Sequence, residues 1–473
     1  MSIASEMTQL ATNKVAIKQA ILLKSPVTQP GDDMSDWAAS IASIPSEVRT
    51  EGNLDDNDVI FCDYDGTVLH TYSRSEVSSM ESLPQLPTRT GMEYQGWNWT
   101  LNGLKQQALQ VGKALVSAIC KPADDCTKVT ITIPDAKYSE VPMRFSQTVS
   151  HGVEVNWGDG SIVETFGTIN ATTRTHQYSP AQFPATYTIT FKVNSGSLSF
   201  PTNIMGKSGS TEFVWLGMIR KIHFGANVVT LGDGVLRDCH LLTKVSIPES
   251  VTTIGTYAFR GCASLRYIGL PTGVTNIQSY TFYYCTSLSL VSIPEGLTTL
   301  NQEVFNQCSA LTHVVLPSGF PGGIQSSTFN TCKALHAVYL PNSFSTTPTI
   351  SAQAFNADNA LTYIKLPSNL TTLTTKVFYG CEALSYIKIP SSVTSIEANA
   401  FAGCRGLLTF DFRDHSSVPT LADPNVFYQT PNNREIVVPD SLYNTWIETG
   451  NWSSSTNGIV ESIVKASESS IAE

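Results

Sequence analysis

The most regular feature of the chain is a recurring order of apolar and polar positions between Leu216 and Gln429. Each unit of roughly 23 residues opens with a short alternating stretch, such as Leu242, Val245 and Ile247, which predicts a strand. A second apolar pair and a small residue followed by phenylalanine complete the unit. A period of this length indicates a solenoid, because one unit cannot bury its apolar residues without neighbours.

Three residue types recur at fixed positions of the repeat. Proline closes each predicted strand, because it cannot donate a hydrogen bond to the next strand. The cysteine column comprises Cys239, Cys262, Cys285, Cys308, Cys332, Cys381 and Cys404, with Asp358 in place of one cysteine; the phenylalanine column comprises Phe259, Phe282, Phe305, Phe329, Phe355, Phe378 and Phe401. The repeats 308–331 and 332–357 are longer, and their extra residues follow the proline, where they are expected to lengthen loops.

This pattern resembles the BspA-like leucine-rich repeat family of bacterial surface proteins. A typical unit reads CASLRYIGLPTGVTNIQSYTFYY, from Cys262 to Tyr284, and about nine such units make up nearly half of the chain. The resemblance implies a mainly β, multidomain protein with a leucine-rich repeat solenoid over residues 205–429 and a C-terminal cap over residues 430–473. Degenerate terminal repeats are expected, since they cover the exposed ends of the core.

The outward positions of the predicted strands form the candidate binding surface. The polar and aromatic candidates for ligand or receptor contact are Tyr267, His313, Tyr339, Tyr363, Lys365, Tyr386 and Lys388. Exposed aromatic residues on one sheet face indicate a binding surface, although tyrosine also favours strands on its own account. Both interpretations stay open at this stage. The predicted partner is a host cell-surface protein or glycan.

Residues 125–204 show the two-residue alternation of an all-β domain. The strings VEVNWGDGS, THQYS and ATYTITFKV resemble the polycystic-kidney-disease-type (PKD) domain, an immunoglobulin-like β-sandwich, with Trp157, His176, Tyr178 and Tyr187 at the matching positions. The resemblance implies a spacer or binding module. The glycines and the aspartate explain the turn Gly158 to Gly160 as a structural feature, and the alternative, a calcium site, would need further carboxylates beside it.

Residues 58–124 predict a small α+β module that contains the string VIFCDYDGTVL. This string resembles the first motif of haloacid dehalogenase-type phosphatases, which would make Asp63 the nucleophile and Asp65 the acid. We reject this interpretation because no Rossmann-like domain follows the motif. A strand that ends in an Asp65-Gly66 turn accounts for the same residues. The pair Trp97 and Trp99 could stack on a sugar, but a small core is the commoner use.

Residues 1–45 predict two short helices, and residues 46–57 predict an acidic linker. Trp37, Ile41 and Ile44 share one helix face that has no core of its own, so they are candidate oligomerisation residues. The arrangement resembles N-terminal segments of phage tail-fibre proteins. The predicted contacts are a homo-oligomer and, in a virion, other tail proteins.

Composition restricts the function further. The chain of 473 residues has a net charge of −10 and no run of Lys or Arg, so nucleic acid is not an expected partner. No long apolar stretch predicts membrane insertion, and the N-terminus does not read as an export signal. Most cysteines occupy the repeat column and are expected to be buried free thiols. No catalytic, metal-ligating or cofactor-binding constellation is predicted, so the expected protein is not an enzyme.

These observations predict a non-enzymatic recognition protein in one of two settings. The first is a phage tail or tail-fibre component of the virion whose solenoid binds the host, which the absence of an export signal favours. The alternative is a BspA-like adhesin on the bacterial cell surface that binds a host protein or glycan.

Overall fold

The computed structural model describes residues 58–147, 149, 152–205, 214–346 and 348–469. The predicted helical segment 1–45, the linker 46–57 and the candidate residues Trp37, Ile41 and Ile44 therefore lie outside the described residues. Within the described part the protein is mainly β, as predicted.

The first part of the described chain is a small α+β module. Its elements are β1 (Val59–Cys62), β2 (Val68–Tyr72), α1 (Arg74–Ser79), β3 (Met92–Trp97), α2 (Leu101–Gln110) and β4 (Ala114–Pro122). The sheet order is β2-β1-β4-β3, with β1 antiparallel to β2 and parallel to β4. The predicted reversal at Asp65-Gly66 is confirmed, and Thr100 caps α2 by accepting a hydrogen bond from the Gly103 amide.

A two-sheet β domain follows. Its strands are β5 (Thr127–Ile133), β6 (Glu140–Gln147), β7 (Val153–Asn156), β8 (Glu164–Phe166), β9 (Ile169–Gln177), β10 (Ala185–Val193) and β11 (Leu198–Phe200). One sheet contains β5, β10, β7 and β8, and the other contains β11, β6 and β9. Trp157 is buried between them, and its ring stacks on His176 at a centroid distance of 4.7 Å.

The solenoid consists of two ladders of short parallel strands. The first ladder contains β12 (Ile219–His223), β14 (Lys244–Ser246), β16 (Tyr267–Gly269), β18 (Leu290–Ser292), β20 (His313–Val315), β21 (Ala337–Tyr339), β22 (Tyr363–Ile364), β24 (Tyr386–Lys388), β26 (Thr409–Asp411), β28 (Glu435–Val438) and β29 (Ile463–Lys465). The second ladder contains β13 (Val228–Leu231), β15 (Thr253–Ile254), β17 (Asn276–Ile277), β19 (Thr299–Leu300), β23 (Thr372–Leu373), β25 (Ser395–Ile396) and β27 (Thr420–Leu421).

The columns seen in the sequence become continuous stacks in the core. From Phe259 to Phe401 the phenylalanine rings lie nearly parallel, and neighbouring centroids are separated by 5.3 to 5.6 Å. The cysteines of the column are fully buried, and from Cys262 to Cys404 each thiol donates to a backbone carbonyl one repeat earlier, as Cys308 does to Phe282 at 3.1 Å. The stack runs through the two longer repeats without interruption, because their extra residues lie outside it.

Both ends of the solenoid core are covered. At the N-terminal end β12 pairs with β5 and β11 pairs with β13, so the sheets of the β domain continue into the two ladders. At the C-terminal end α3 (Tyr443–Glu448) and a series of short 3₁₀ turns bury Trp446 and Trp452. The described residues from 58 onward form one compact unit. The sheets of the β domain are thus continuous with the two ladders of the solenoid.

Candidate functional site

The α+β module packs on the outward face of the first ladder and covers its N-terminal half. Three side chains of the module bond directly to the ladder backbone: Asn98 Nδ2 donates to Leu270 O at 3.1 Å, Trp99 Nε1 to Ile293 O at 2.9 Å, and Gln107 Nε2 to Leu316 O at 3.1 Å. All three side chains are buried. Polar groups that are buried together must satisfy each other, so these bonds fix the position of the module.

An apolar contact layer lies between the module and the ladder. It contains Ile60, Cys62 and Leu115 of the module, packed against Tyr267, Leu290 and Val315 of the ladder. Gly269 lies in this layer, where a β-carbon would come within 2.1 Å of Ser117 Oγ. Only glycine allows β4 to approach the ladder this closely.

Two of the predicted binding residues are therefore not available to a ligand. Tyr267 is 6% exposed and His313 is 4% exposed, because the module covers the strands that carry them. The expectation that they form part of an exposed surface is wrong for these two residues. The sequence shows which side of a strand points outward, but it does not show that a separate module lies on that side. Tyr339 is partly buried at the edge of the module.

The Asp63 and Asp65 pair of the phosphatase-like string is engaged in ion pairs. Asp63 is buried and contacts Arg89, at 2.5 Å from Nε to Oδ2, and it accepts a hydrogen bond from the Tyr94 hydroxyl. Asp65 contacts Arg89 and also Lys244 of the ladder, at 2.8 Å. Burial opposes ionisation of Asp65, but the hydrogen bonds from Lys244 and Thr67 lower its pKa to about 2. The pair thus acts as a fixed charge cluster that joins the module to the solenoid.

The backbone pairing of the first ladder is interrupted between β14 and β16, between β18 and β20, and between β22 and β24 among the described strands. The module covers the first two interruptions, since its strand β4 packs on β14, β16 and β18. The third interruption lies beyond the module. It coincides with a surface groove of about 650 Å³.

This groove contains four of the predicted binding residues. Tyr363 and Tyr386 are 49% and 42% exposed, Lys365 follows directly after β22, and Lys388 is the last residue of β24. Ile364, Leu366 and Pro390 supply its apolar part, whereas Thr362, Ser368, Ser391 and Asp414 supply further polar groups. A concave site with an apolar floor and a few polar groups is typical of ligand-binding sites.

The charged groups of the groove are arranged asymmetrically. Lys388 Nζ lies 2.6 Å from Asp414 Oδ2, so its charge is compensated. Lys365 Nζ instead donates to the neutral Asn342 amide oxygen at 2.9 Å, and none of the described carboxylates pairs with it. The Tyr386 hydroxyl donates to Asp411 Oδ2 at 2.8 Å, and burial together with this bond raises the pKa of Tyr386 to about 12. The Tyr386 ring is therefore held in place by its hydroxyl.

Sequence reasoning missed Asp414 and the hydroxyl groups of the groove. Asp414 lies in the loop after β26, outside the repeating columns, so no periodic signal marks it. It also missed the buried polar contacts of Asn98 and Gln107. The only sequence signal for Asn98 was its place between Trp97 and Trp99, and Gln107 has no such signal.

Among the residues that the structure describes, no group of three or more His, Cys, Asp or Glu side chains could hold a metal ion. In the same part of the chain, no helix has the length and apolarity to span a membrane.

Stacked parallel strands with leucine, cysteine, phenylalanine and proline at fixed positions define a leucine-rich repeat solenoid protein. The family model described as the BspA type leucine rich repeat region, in six copies, matches residues 207–336 and 322–446. The chain belongs to this family, and the family predicted from the sequence is confirmed.

Solved structures of leucine-rich repeat proteins are similar to part of the chain. A protein from Bacteroides ovatus is 22% identical over 48% of this chain and 62% of its own, with a TM-score of 0.39. A leucine rich cell surface protein from Faecalibacterium prausnitzii is 19% identical over 50% of this chain and 88% of its own, with a TM-score of 0.26. The pneumococcal vaccine antigen PcpA is 16% identical over 51% of this chain and 65% of its own, with a TM-score of 0.29. No curated protein matches the chain.

Proposed function

We propose that the protein is a non-enzymatic recognition protein that binds a cell-surface ligand. The binding site is the part of the first ladder that the α+β module does not cover. The observation that carries this proposal is the groove at the β22 to β24 interruption, which combines exposed Tyr363 and Tyr386 with Lys365 and Lys388. Tyrosine contributes a large, rigid contact area at low entropic cost, and it is enriched in protein recognition surfaces.

The setting that we propose is a bacterial cell surface, where the protein acts as an adhesin toward a host protein or glycan. Membership of the BspA-type family supports this setting, because the sequence pattern is that of bacterial surface proteins. The tail-fibre setting, with contacts to other virion proteins through the N-terminus, has no support from the family model. An antibody against residues 205–429 distinguishes the two settings: the native protein should sediment with cell envelopes, whereas sedimentation with virus particles would restore the tail-fibre hypothesis.

The other modules have supporting roles in this proposal. The β domain, with its PKD-like sequence and immunoglobulin-like sandwich, covers the N-terminal end of the solenoid. The engagement of Asp63 and Asp65 with Arg89 and Lys244 supports a structural role for this pair. Purified protein should not hydrolyse a generic phosphate ester, and hydrolysis that is lost on Asp63→Asn would contradict the non-enzymatic assignment.

The test of the binding site is attachment of the labelled, purified chain to cultured epithelial cells. We expect the double variant Tyr363→Ala and Tyr386→Ala to lose most attachment. It should stay folded at the assay temperature, because about half of each side chain is exposed, although loss of the Tyr386 hydroxyl removes one hydrogen bond from the buried Asp411. Tyr379→Ala is the matched control, since Tyr379 is a tyrosine of similar exposure, 40%, that does not line the groove. Unchanged attachment of the double variant would place the binding site elsewhere.

A further inference from the structure

We infer that the groove between β22 and β24 binds an acidic sugar, that is, a glycan unit that carries a carboxylate. This inference rests on the proposed function, because it names the ligand class of the same site. The observations that carry it are the shape of the groove, its two exposed tyrosines and the uncompensated charge of Lys365.

The charge balance of the groove favours an anion. Its lining contains Lys365, Lys388 and Asp414, so it has one net positive charge on a chain whose net charge is −10. Asp414 pairs with Lys388, which leaves the Lys365 ammonium with only a neutral amide acceptor, Asn342. A carboxylate is the ligand group that would complete the hydrogen bonding of this ammonium, with a charge-assisted bond.

The other lining groups favour a sugar over an acidic peptide. Tyr386 is held by its bond to Asp411 and offers a fixed ring for the apolar face of a pyranose. Thr362, Ser368 and Ser391 place three hydroxyl-bearing side chains along the groove, and these can both donate to and accept from sugar hydroxyls. The site is a bounded groove rather than a flat surface, and its volume of about 650 Å³ lies within the ordinary range of small-ligand sites.

The test is calorimetric titration of the full chain with matched acidic and neutral sugars: sialyllactose against lactose, and a galacturonic acid trimer against a galactose trimer. At least one acidic sugar should bind about tenfold or more tightly than its neutral partner, and added salt should weaken that binding. Lys365→Gln should remove the preference for the acid. Lys333→Gln is the control, because Lys333 is an exposed lysine that does not line the groove.

Asp414→Asn provides an independent check. It removes the negative charge that compensates Lys388, and Asp414 is exposed, so this variant should fold normally and bind the acidic sugar more tightly. Equal binding of acidic and neutral sugars, or no binding of any sugar, would overturn the inference. If sugar binding fails while the tyrosine double variant still loses cell attachment, the proposed function stands and only the ligand class is wrong.

Discussion

Asp358 occupies a position of the cysteine column and is completely buried in the solenoid core. Its Oδ1 atom accepts a hydrogen bond from the Cys332 amide at 2.8 Å, whereas Oδ2 is buried and makes no hydrogen bond. Burial raises the pKa of Asp358 well above its ordinary value, and the single bond from Cys332 offsets this only in part. The carboxyl is therefore protonated in the folded state over a range of pH in which the unfolded chain has lost that proton.

The sign of the effect on stability follows from this difference. Below the unfolded-state pKa of about 3.9 the carboxyl is neutral in both states, so Asp358 carries no penalty. As the pH rises above that value, the free energy of unfolding should fall by about 1.4 kcal/mol per pH unit, until the pH reaches the raised folded-state pKa. Asp358→Asn keeps the acceptor for Cys332 and cannot ionise, so its stability should lack this slope.

The assay is urea denaturation of the wild type and Asp358→Asn at a series of pH values above about 4, where the difference in unfolding free energy should change by about 1.4 kcal/mol per unit until the pH reaches the raised folded-state pKa. Comparison at the same pH cancels the titration of all other groups. Asp358→Cys restores the residue of the column. The difference in unfolding free energy between this variant and Asp358→Asn should not vary with pH. A difference that does not vary with pH would refute the reasoning, because it would show that the carboxyl is not held neutral.

Three further outcomes test the packing. Phe305→Ala, in the middle of the phenylalanine stack, should lower the free energy of unfolding by about 3 to 5 kcal/mol in urea denaturation; a loss below about 1 kcal/mol would contradict a close-packed stack. Trp99→Phe should cost about 1 to 3 kcal/mol, because the Ile293 carbonyl would lose its donor in a buried site, and no change would show that water replaces the indole. All ten cysteines are buried and free, so a thiol reagent should label them only after unfolding; labelling of the native protein would show that the core opens.

The periodic part of the fold could be predicted because each repeat meets the same neighbours. Cysteine, phenylalanine and proline at fixed spacing specify which side chains stack, so the stack of phenylalanine rings from Phe259 to Phe401 follows from the sequence alone. The turn at Asp65-Gly66 and the helix after Thr100 could also be predicted, since both depend on local chemistry.

The position of the α+β module could not be predicted, because it depends on contacts between residues far apart in the chain. Asn98 and Gln107 look like ordinary polar residues until the carbonyls of Leu270 and Leu316 are placed opposite them. The same contacts decide which tyrosines reach solvent, so the candidate surface was predicted too large. Asp414 lies in a loop that borders the groove, and the sequence of that loop does not follow the repeating pattern.

The docked module also determines where this chain can change in length. It bonds to Lys244, Leu270, Ile293, Leu316 and Asn342, which belong to five consecutive repeats. Each repeat advances the ladder by about 4.8 Å, so gain or loss of a repeat within this span would shift the bonded groups on one side of the change away from their partners in the module. Duplication of a repeat after Phe378 would leave every one of these bonds intact and would lengthen the part of the first ladder that the module does not cover. Evolution or design can therefore extend the uncovered part of the first ladder, while the covered part keeps a fixed number of repeats.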